Sequence, residues 1–187
     1  MASSVYDGYK QAVELLTFGH GTASETELAA LVAGAQIDAV VDIRTVPKSR
    51  RHPHVARERM EHWMPQLSGA AYRWEPDLGG FRKTSPASEN TALRNESFRG
   101  YADYMQTPQF AAALGRLLEQ LGERQTAIMC SETLWWRCHR RLVADAVTLL
   151  HGIDVFHLAP GGKRYPHVPT AGVRVLNGAE LRYDVAA

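Results

Sequence analysis

The sequence carries almost no net charge. Among its 187 residues, 21 are Lys or Arg and 20 are Asp or Glu, which gives a formal net charge of +1. Such a balance creates no overall field that would draw the protein to nucleic acid or to anionic lipid. Any partner of that kind must therefore use a local patch.

Long apolar runs and cysteines are also scarce. No stretch approaches the roughly 18 apolar residues that cross a bilayer, and residues 1–10 lack a basic stretch followed by an apolar segment. We therefore expect no membrane partner and no export signal. The two cysteines, Cys130 and Cys138, lie eight positions apart. We predict that they are free thiols in a reducing cytoplasm.

The hydrophobic pattern alternates between strand-like and helix-like segments. An apolar run at 13–18, a capped helical pattern at 24–34 and a β-branched run at 37–43 are typical of a parallel crossover unit. The pattern predicts an α/β fold, a three-layer sandwich with a mainly parallel central sheet. Further strands are expected at 72–74, 127–130, 153–158 and 173–176, and helices at 55–67, 101–105, 108–121 and 135–150.

Length and composition suit a single domain over residues 1–187. Its core is expected at about 13–158, with a C-terminal extension over 159–187. An irregular polar stretch runs from residue 76 to about residue 97, and long loops of this kind are often functional or mobile. The sequence does not determine an oligomeric state.

Several chemically reactive side chains follow the predicted strands. In parallel sheets, ligands bind beyond the carboxyl ends of the strands, where loops and helix N-termini converge. We therefore expect these side chains to share one rim. The candidate catalytic residues are His20, Asp42, Cys130 and Glu132, and Arg44 is expected to bind a ligand.

Cys130 is the candidate nucleophile. A thiol at a strand end that faces arginines has its thiolate form favoured. The alternative is that Cys130 is a small buried apolar residue that ends the strand. Glu132 is a candidate general acid or base, or else it only complements the dipole of the following helix.

The segment after Cys130 supplies candidate ligand-binding groups. Arg137, His139 and Arg140 are assigned to anion binding. Helical spacing favours a core position for Cys138, and the sequence leaves open whether Cys138 and His139 belong to the core or to the site. We predict no metal and no cofactor. The cysteines lack the short spacing of structural zinc sites, and residues 138 and 139 would point about 100° apart on a helix.

Positive charge is concentrated in one segment. Residues 44–59 contain six basic residues and one acidic residue, Glu58. This segment, with Arg50 as a candidate ligand-binding residue, could hold the phosphates of a nucleotide or of nucleic acid. The alternative is a solvated charged surface.

Taken in order, seven blocks of the chain resemble the prokaryotic family called domain of unknown function number 488. The blocks are Thr17–Thr22, Val41–Arg44, Pro47–Arg50, Leu78–Gly80, Ser97–Met105, Met129–Glu132 and Arg137–Arg140. Members of the family usually have Cys-Ala-Glu where this chain has Cys-Ser-Glu. The resemblance implies an α/β fold whose polar blocks meet in a cleft, and it supplies no established reaction.

The blocks add Arg99 and Tyr101 to the candidates. Arg99 could hold an anion and Tyr101 could donate a hydrogen bond to a ligand. The alternative is an ion pair at a helix start and a core aromatic residue.

Three functions remain open from the sequence. The first is an enzyme acting on a small anionic or phosphorylated ligand in the Cys/Glu/Arg cleft. The second is a nucleotide-binding or nucleic-acid-binding module that uses residues 44–59. The third is a non-catalytic regulatory protein whose thiols report the redox state.

Overall fold

The computed structural model describes residues 13–185 and contains a six-stranded central sheet. The first ten residues, where we expect no export signal, lie outside the described residues. The strand order is β3-β2-β4-β1-β5-β6, and all strands are parallel except β6. The strands are β1 (Glu14–Gly19), β2 (Ala39–Asp42), β3 (Ala71–Trp74), β4 (Thr126–Cys130), β5 (Asp154–Leu158) and β6 (Arg164–Pro166).

Helices cover both faces of this sheet, which confirms the predicted three-layer sandwich. Successive strand residues point to opposite faces: Leu15 of β1 joins one core cluster, and its neighbour Leu16 joins the other. The first cluster lies under α3, α4 and α5, and the second under α1 and α2. The helices are α1 (Glu25–Gly34), α2 (Arg57–Ser68), α3 (Glu96–Tyr104), α4 (Pro108–Glu123) and α5 (Arg140–His151).

The helix ends follow local sequence signals. Ser24 caps α1, because its hydroxyl oxygen accepts a hydrogen bond from the Glu27 backbone N–H. In return, the Ser24 backbone N–H donates to the Glu27 carboxylate. Thr107 caps α4, whose first residue is a proline. Gly152 ends α5 in the left-handed conformation that a side chain would strain. These signals fix where the loops at the sheet edge begin.

The predicted helix over 135–150 is wrong at its start. Residues Trp135–Arg137 form one 3-10 turn, Cys138 is extended (φ −122°, ψ 146°), and α5 begins only at Arg140. An extended residue interrupts the ladder of helical hydrogen bonds. The chain therefore bends at Cys138, and this bend matters for the site described below.

The C-terminal region adds strands that the sequence did not predict. β6 pairs with β5, and the predicted strand at 173–176 is β7 (Val173–Leu176), paired with β8 (Glu180–Tyr183) in a separate hairpin. Tyr183 is fully buried, and its backbone exchanges hydrogen bonds with Asn90 and Ala92. The hairpin thus fastens the irregular stretch after residue 76 to the body of the protein.

Among the described residues, no helix combines the length and apolar character that crossing a bilayer would need.

Candidate active site

The candidate site lies at the carboxyl end of β4, in the middle of the sheet. β4 lies between β1 and β2, and Cys130 is paired with Gly19 of β1. Beyond the strands, His20 N–H donates to the Cys130 carbonyl at 2.9 Å, and Ile43 N–H donates to the Met129 carbonyl at 2.9 Å. The ends of three strands are therefore held side by side, as the sequence predicted.

Two thiols and one imidazole meet at this edge. The Nδ1 atom of His139 lies 3.9 Å from the Cys130 Sγ and 3.7 Å from the Cys138 Sγ. The other ring nitrogen, Nε2, lies 3.2 Å from the Ile43 carbonyl oxygen. Because a carbonyl oxygen only accepts, Nε2 carries the proton of the neutral ring and the Nδ1 lone pair faces both sulfurs.

The two sulfurs have different proton affinities. A hydrogen bond from the Cys138 thiol is the main cause that holds the pKa of Cys130 well below its usual range; burial opposes this shift, and His139 and Arg140 add to it. The same hydrogen bond, together with burial, raises the pKa of Cys138. Cys130 is therefore the sulfur on which negative charge is favoured. Its exposed fraction is 8%, so only a small reagent has access.

Asp42 and Arg44 form a buried ion pair next to the cluster. The Arg44 Nε donates to Asp42 Oδ1 at 2.9 Å, and its Nη2 donates to Asp42 Oδ2 at 2.5 Å. Tyr72 donates its hydroxyl to the same Oδ2 at 2.6 Å. The carboxylate of Asp42 thus positions Arg44, and the remaining Nη1 atom of Arg44 points to His20 at 3.2 Å.

His20 is held as a neutral ring. Burial, together with the adjacent Arg44 charge, lowers the pKa of His20 to about 4. Its Nδ1 lies 3.0 Å from the Gly21 carbonyl and donates to it, so Nε2 accepts from Arg44. His20 also borders a surface cleft of about 940 Å³, which is further lined by Thr22, Thr133, Gly161 and Arg164.

Arg140 shapes the loop that follows Cys130. Its buried guanidinium donates to the backbone carbonyls of Glu132 and Thr133. Gly19 makes room for this loop, since a Cβ atom there would lie 1.8 Å from the Glu132 carbonyl oxygen. Arg140 therefore positions backbone and adds positive charge near the Cys130 sulfur.

Other sequence candidates lie outside the cluster. Glu132 is exposed, and its carboxylate accepts a hydrogen bond from the Leu134 backbone at 3.1 Å. Arg99 donates to the Leu93 carbonyl at 3.0 Å. Arg50 and Arg137 are exposed. None of these four side chains makes a hydrogen bond to the two sulfurs or to the His139 ring.

Tyr101 contacts the cluster through its ring. The side chain is fully buried and its hydroxyl donates to the Leu78 carbonyl at 2.8 Å. The ring centroid lies 5.0 Å from that of His139, in an edge-on arrangement. The hydroxyl is thus already used by the backbone, and the ring supports the imidazole.

Sequence reasoning favoured a core position for Cys138, which is indeed buried in the first core cluster, and it gave Gly80 no role. A Cβ atom at Gly80 would lie 2.9 Å from the His139 Nδ1. Glycine at this position therefore lets the imidazole nitrogen approach the sulfurs. The Gly79-Gly80 pair in the long loop was the available signal, because adjacent glycines often mark a close approach of backbone to a functional group.

The cluster has the composition of a metal site. One nitrogen and two sulfur atoms, from Cys130, Cys138 and His139, all lie within 4.8 Å of one another. Within residues 13–185, these three form the one group of this type. Thiolate and imidazole ligands suit soft or borderline cations.

The fold and this cluster define a three-layer α/β protein with a Cys/His centre at the carboxyl edge of its sheet. Residues 25–147 match the family model described as domain of unknown function DUF488. The chain belongs to this family, which confirms the resemblance seen in the sequence. Searches of curated proteins and of solved structures found no match.

Proposed function

We propose that this protein is an enzyme that acts on a small anionic ligand, with Cys130 as its reactive group. The observation that carries the proposal is the position of His139 Nδ1, 3.9 Å from the Cys130 sulfur at the carboxyl edge of the central sheet. A thiol beside an imidazole lone pair is the arrangement that activates cysteine for covalent chemistry.

The proton transfer needs no external group. The Cys130 S–H bond breaks as the His139 Nδ1 takes the proton, which leaves a thiolate beside an imidazolium. The Ile43 carbonyl, 3.2 Å from Nε2, stabilises the charged ring by accepting from its other N–H. The thiolate then attacks the electrophilic atom of the ligand, and the leaving group departs with the proton held by His139.

Nearby positive charge supports an anionic ligand. Arg140 donates to backbone carbonyls rather than to a carboxylate, and its charge favours the Cys130 thiolate. The charge of Arg44 is neutralised by Asp42, but its Nη1 contacts His20, which lies at the carboxyl end of β1. Glu132, Arg50, Arg99 and Arg137 are not part of the proposed centre.

Two alkylating reagents of similar size test both parts of the proposal. Iodoacetate is anionic and iodoacetamide is neutral. Both reagents are applied to C138S, in which Cys130 is the remaining thiol. The ratio of the iodoacetate rate to the iodoacetamide rate should be higher for this variant than for a free thiol such as N-acetylcysteine. A ratio equal to or below that of the free thiol would contradict an anion-favouring site.

Turnover provides the second arm. A panel of small phosphate and carboxylate esters is screened with the wild type, and any substrate found is then offered to C130S. We expect loss of turnover in C130S when circular dichroism shows the variant to be folded. Unchanged turnover would remove Cys130 as the nucleophile. Thermal shifts with phosphate, sulfate and nucleotides identify ligand classes independently.

A second candidate function is phosphate-backbone binding by the basic segment. Lys48, Arg50 and Arg59 line a surface depression of about 630 Å³. Arg57 of the same segment is paired with Glu61, so part of the charge is neutralised. Fluorescence anisotropy with oligonucleotides tests this function: binding should weaken steeply between low and high salt. Binding that does not respond to salt, or no binding, excludes it.

The cellular compartment is part of the same proposal. Cys130 and Cys138 are both free thiols in the structure. A cysteine nucleophile with a second thiol beside it needs reducing conditions to persist, which supports a cytoplasmic location.

A further inference from the structure

We propose that Cys130, Cys138 and His139 bind one soft divalent cation, with Zn²⁺ as the leading candidate, and that the bound cation blocks the Cys130 nucleophile. The blocking role rests on the proposed function; cation binding itself does not. The cation would use the Cys130 Sγ, the Cys138 Sγ and the His139 Nδ1.

The two nitrogen–sulfur distances are close to those of a zinc site. Zinc binds thiolate sulfur at about 2.3 Å and imidazole nitrogen at about 2.0–2.1 Å in a tetrahedral arrangement, which places the sulfur and nitrogen atoms about 3.6 Å apart. The observed separations from His139 Nδ1 are 3.7 Å to Cys138 and 3.9 Å to Cys130. The two sulfurs lie within 4.8 Å of each other, and two thiolates on a tetrahedral zinc lie about 3.8 Å apart. Cation binding would therefore draw the two sulfurs together by at most about 1 Å.

The backbone explains how adjacent residues become joint ligands. On a continuous helix, residues 138 and 139 would point about 100° apart, and for this reason the sequence argued against a metal. The extended Cys138 separates the 3-10 turn from α5, so this helical relation does not apply. The side chains of Cys138 and His139 instead converge on Cys130.

The surroundings of His139 resemble those of a metal-binding imidazole. Such rings donate their second N–H to a backbone carbonyl or a carboxylate, which fixes the tautomer and directs the other lone pair at the metal. Here Nε2 lies 3.2 Å from the Ile43 carbonyl, and Nδ1 faces the sulfurs. Gly80 leaves the space beside Nδ1 that a larger residue would fill.

Charge and ligand number define the kind of site. Two thiolates neutralise the charge of one divalent cation, which reduces the cost of placing it among buried groups. Among the described residues, no fourth Cys, His, Asp or Glu joins the group. A fourth coordination position would therefore fall to water or to a small anionic ligand, as in zinc sites with three protein ligands.

Binding of Co²⁺ to this site can be measured by absorption spectroscopy. Co²⁺ added to the reduced, chelator-treated protein should give thiolate-to-metal absorption and the visible bands of tetrahedral Co²⁺. The absorption should saturate at one Co²⁺ per protein, and added Zn²⁺ should displace the Co²⁺ and remove both signals. H139Q should weaken Co²⁺ binding by more than the roughly 10–100-fold that loss of an outer-shell partner costs. The matched control is H151Q, since His151 is exposed at the end of α5. Wild-type protein without these bands would overturn the proposal.

A second measurement needs no variant. The wild-type protein is treated with iodoacetamide, with and without one equivalent of Zn²⁺, and the modified residue is located by mass spectrometry. Zn²⁺ should slow alkylation of Cys130 at least about tenfold, and a chelator should restore the rate. An unchanged rate with Zn²⁺ bound would contradict the blocking role.

The two proposals fail in different ways. If Cys130 reacts rapidly but no Co²⁺ bands form, the cation site is wrong and the nucleophile remains. If the bands form but C130S keeps full turnover, the nucleophile is wrong and the cation site remains.

Discussion

The carboxylate of Asp42 holds the guanidinium of Arg44 through both of its oxygens, with neither side chain more than 4% exposed. This ion pair joins the carboxyl end of β2 to His20 at the end of β1. It therefore fixes one side of the edge at which the Cys130 cluster lies.

Replacing Asp42 with asparagine should destabilise the protein strongly. Breaking a buried pair leaves an uncompensated charge, so the free energy of unfolding should fall by about 3–5 kcal/mol. Urea denaturation measures this change. E61Q is the control because it removes the carboxylate from the exposed Arg57 pair, and its urea midpoint should barely move. Similar midpoints for the two variants would contradict the role of Asp42.

Stability should fall as the pH drops below about 6.5. Burial lowers the pKa of His157 to about 3 and that of His20 to about 4. Between pH 6.5 and those values the unfolded chain binds protons that the folded chain does not, so acid favours unfolding. Each histidine should contribute up to about 1.4 kcal/mol per pH unit.

Urea unfolding between pH 7 and pH 5 measures this slope before most carboxylates titrate. H157Q should show a shallower slope than the wild type, whatever its absolute stability. The same slope in both proteins would show that folding does not lower the pKa of His157.

Replacing Gly80 with alanine should disturb the cluster. The added Cβ atom would lie 2.9 Å from the His139 Nδ1, so the ring must shift from its position beside the sulfurs. We expect slower alkylation of Cys130. The affinity for Co²⁺ should fall by roughly 10-fold or more. The control is G115A, where no heavy atom lies within 4 Å; it should leave both unchanged and stabilise α4 by up to about 1 kcal/mol.

Replacing Tyr101 with phenylalanine tests whether its hydroxyl serves the fold. The change leaves the buried Leu78 carbonyl without its donor, which should cost about 1–3 kcal/mol of unfolding free energy. The ring beside His139 remains, so the alkylation rate of Cys130 should be retained. A large loss of reactivity with unchanged stability would instead assign the hydroxyl to a ligand. Y165F, at an exposed tyrosine, is the control.

Much of the architecture could be predicted because it depends on local periodicity. Apolar runs at 13–18 and 127–130 gave β1 and β4, and the serine-capped pattern at 24–34 gave α1. The crossover order then placed His20, Asp42 and Cys130 at one edge. The hairpin β7–β8 was only half predicted. Its strands have four residues each, β7 has no buried residue, and in β8 the buried Leu181 and Tyr183 alternate with charged residues over too short a stretch to identify a strand.

The details of the site could not be predicted in the same way. Arg99 and Tyr101 were equally plausible as ligand contacts or as structural groups. Their partners are backbone carbonyls, that of the nearby Leu93 for Arg99 and that of the more distant Leu78 for Tyr101. Likewise, a glutamate two residues after Cys130 could face the site or cap a turn, and the observed contact with Leu134 N–H is a turn contact. The Tyr101 contact depends on a distant part of the chain, and the other two depend on how the chain turns locally, which the residue type alone does not determine.

The sequence by itself determined the layered α/β fold, the family and the edge of the sheet where the reactive residues gather, since these follow from periodicity and strand order. Only the tertiary structure decided which side chains meet. Helical spacing separates Cys138 from His139, but an extended residue before α5 brings both to Cys130, 3.7–3.9 Å from one imidazole nitrogen. The physical reason is that a single backbone conformation redirects a side chain, and long-range contacts select that conformation.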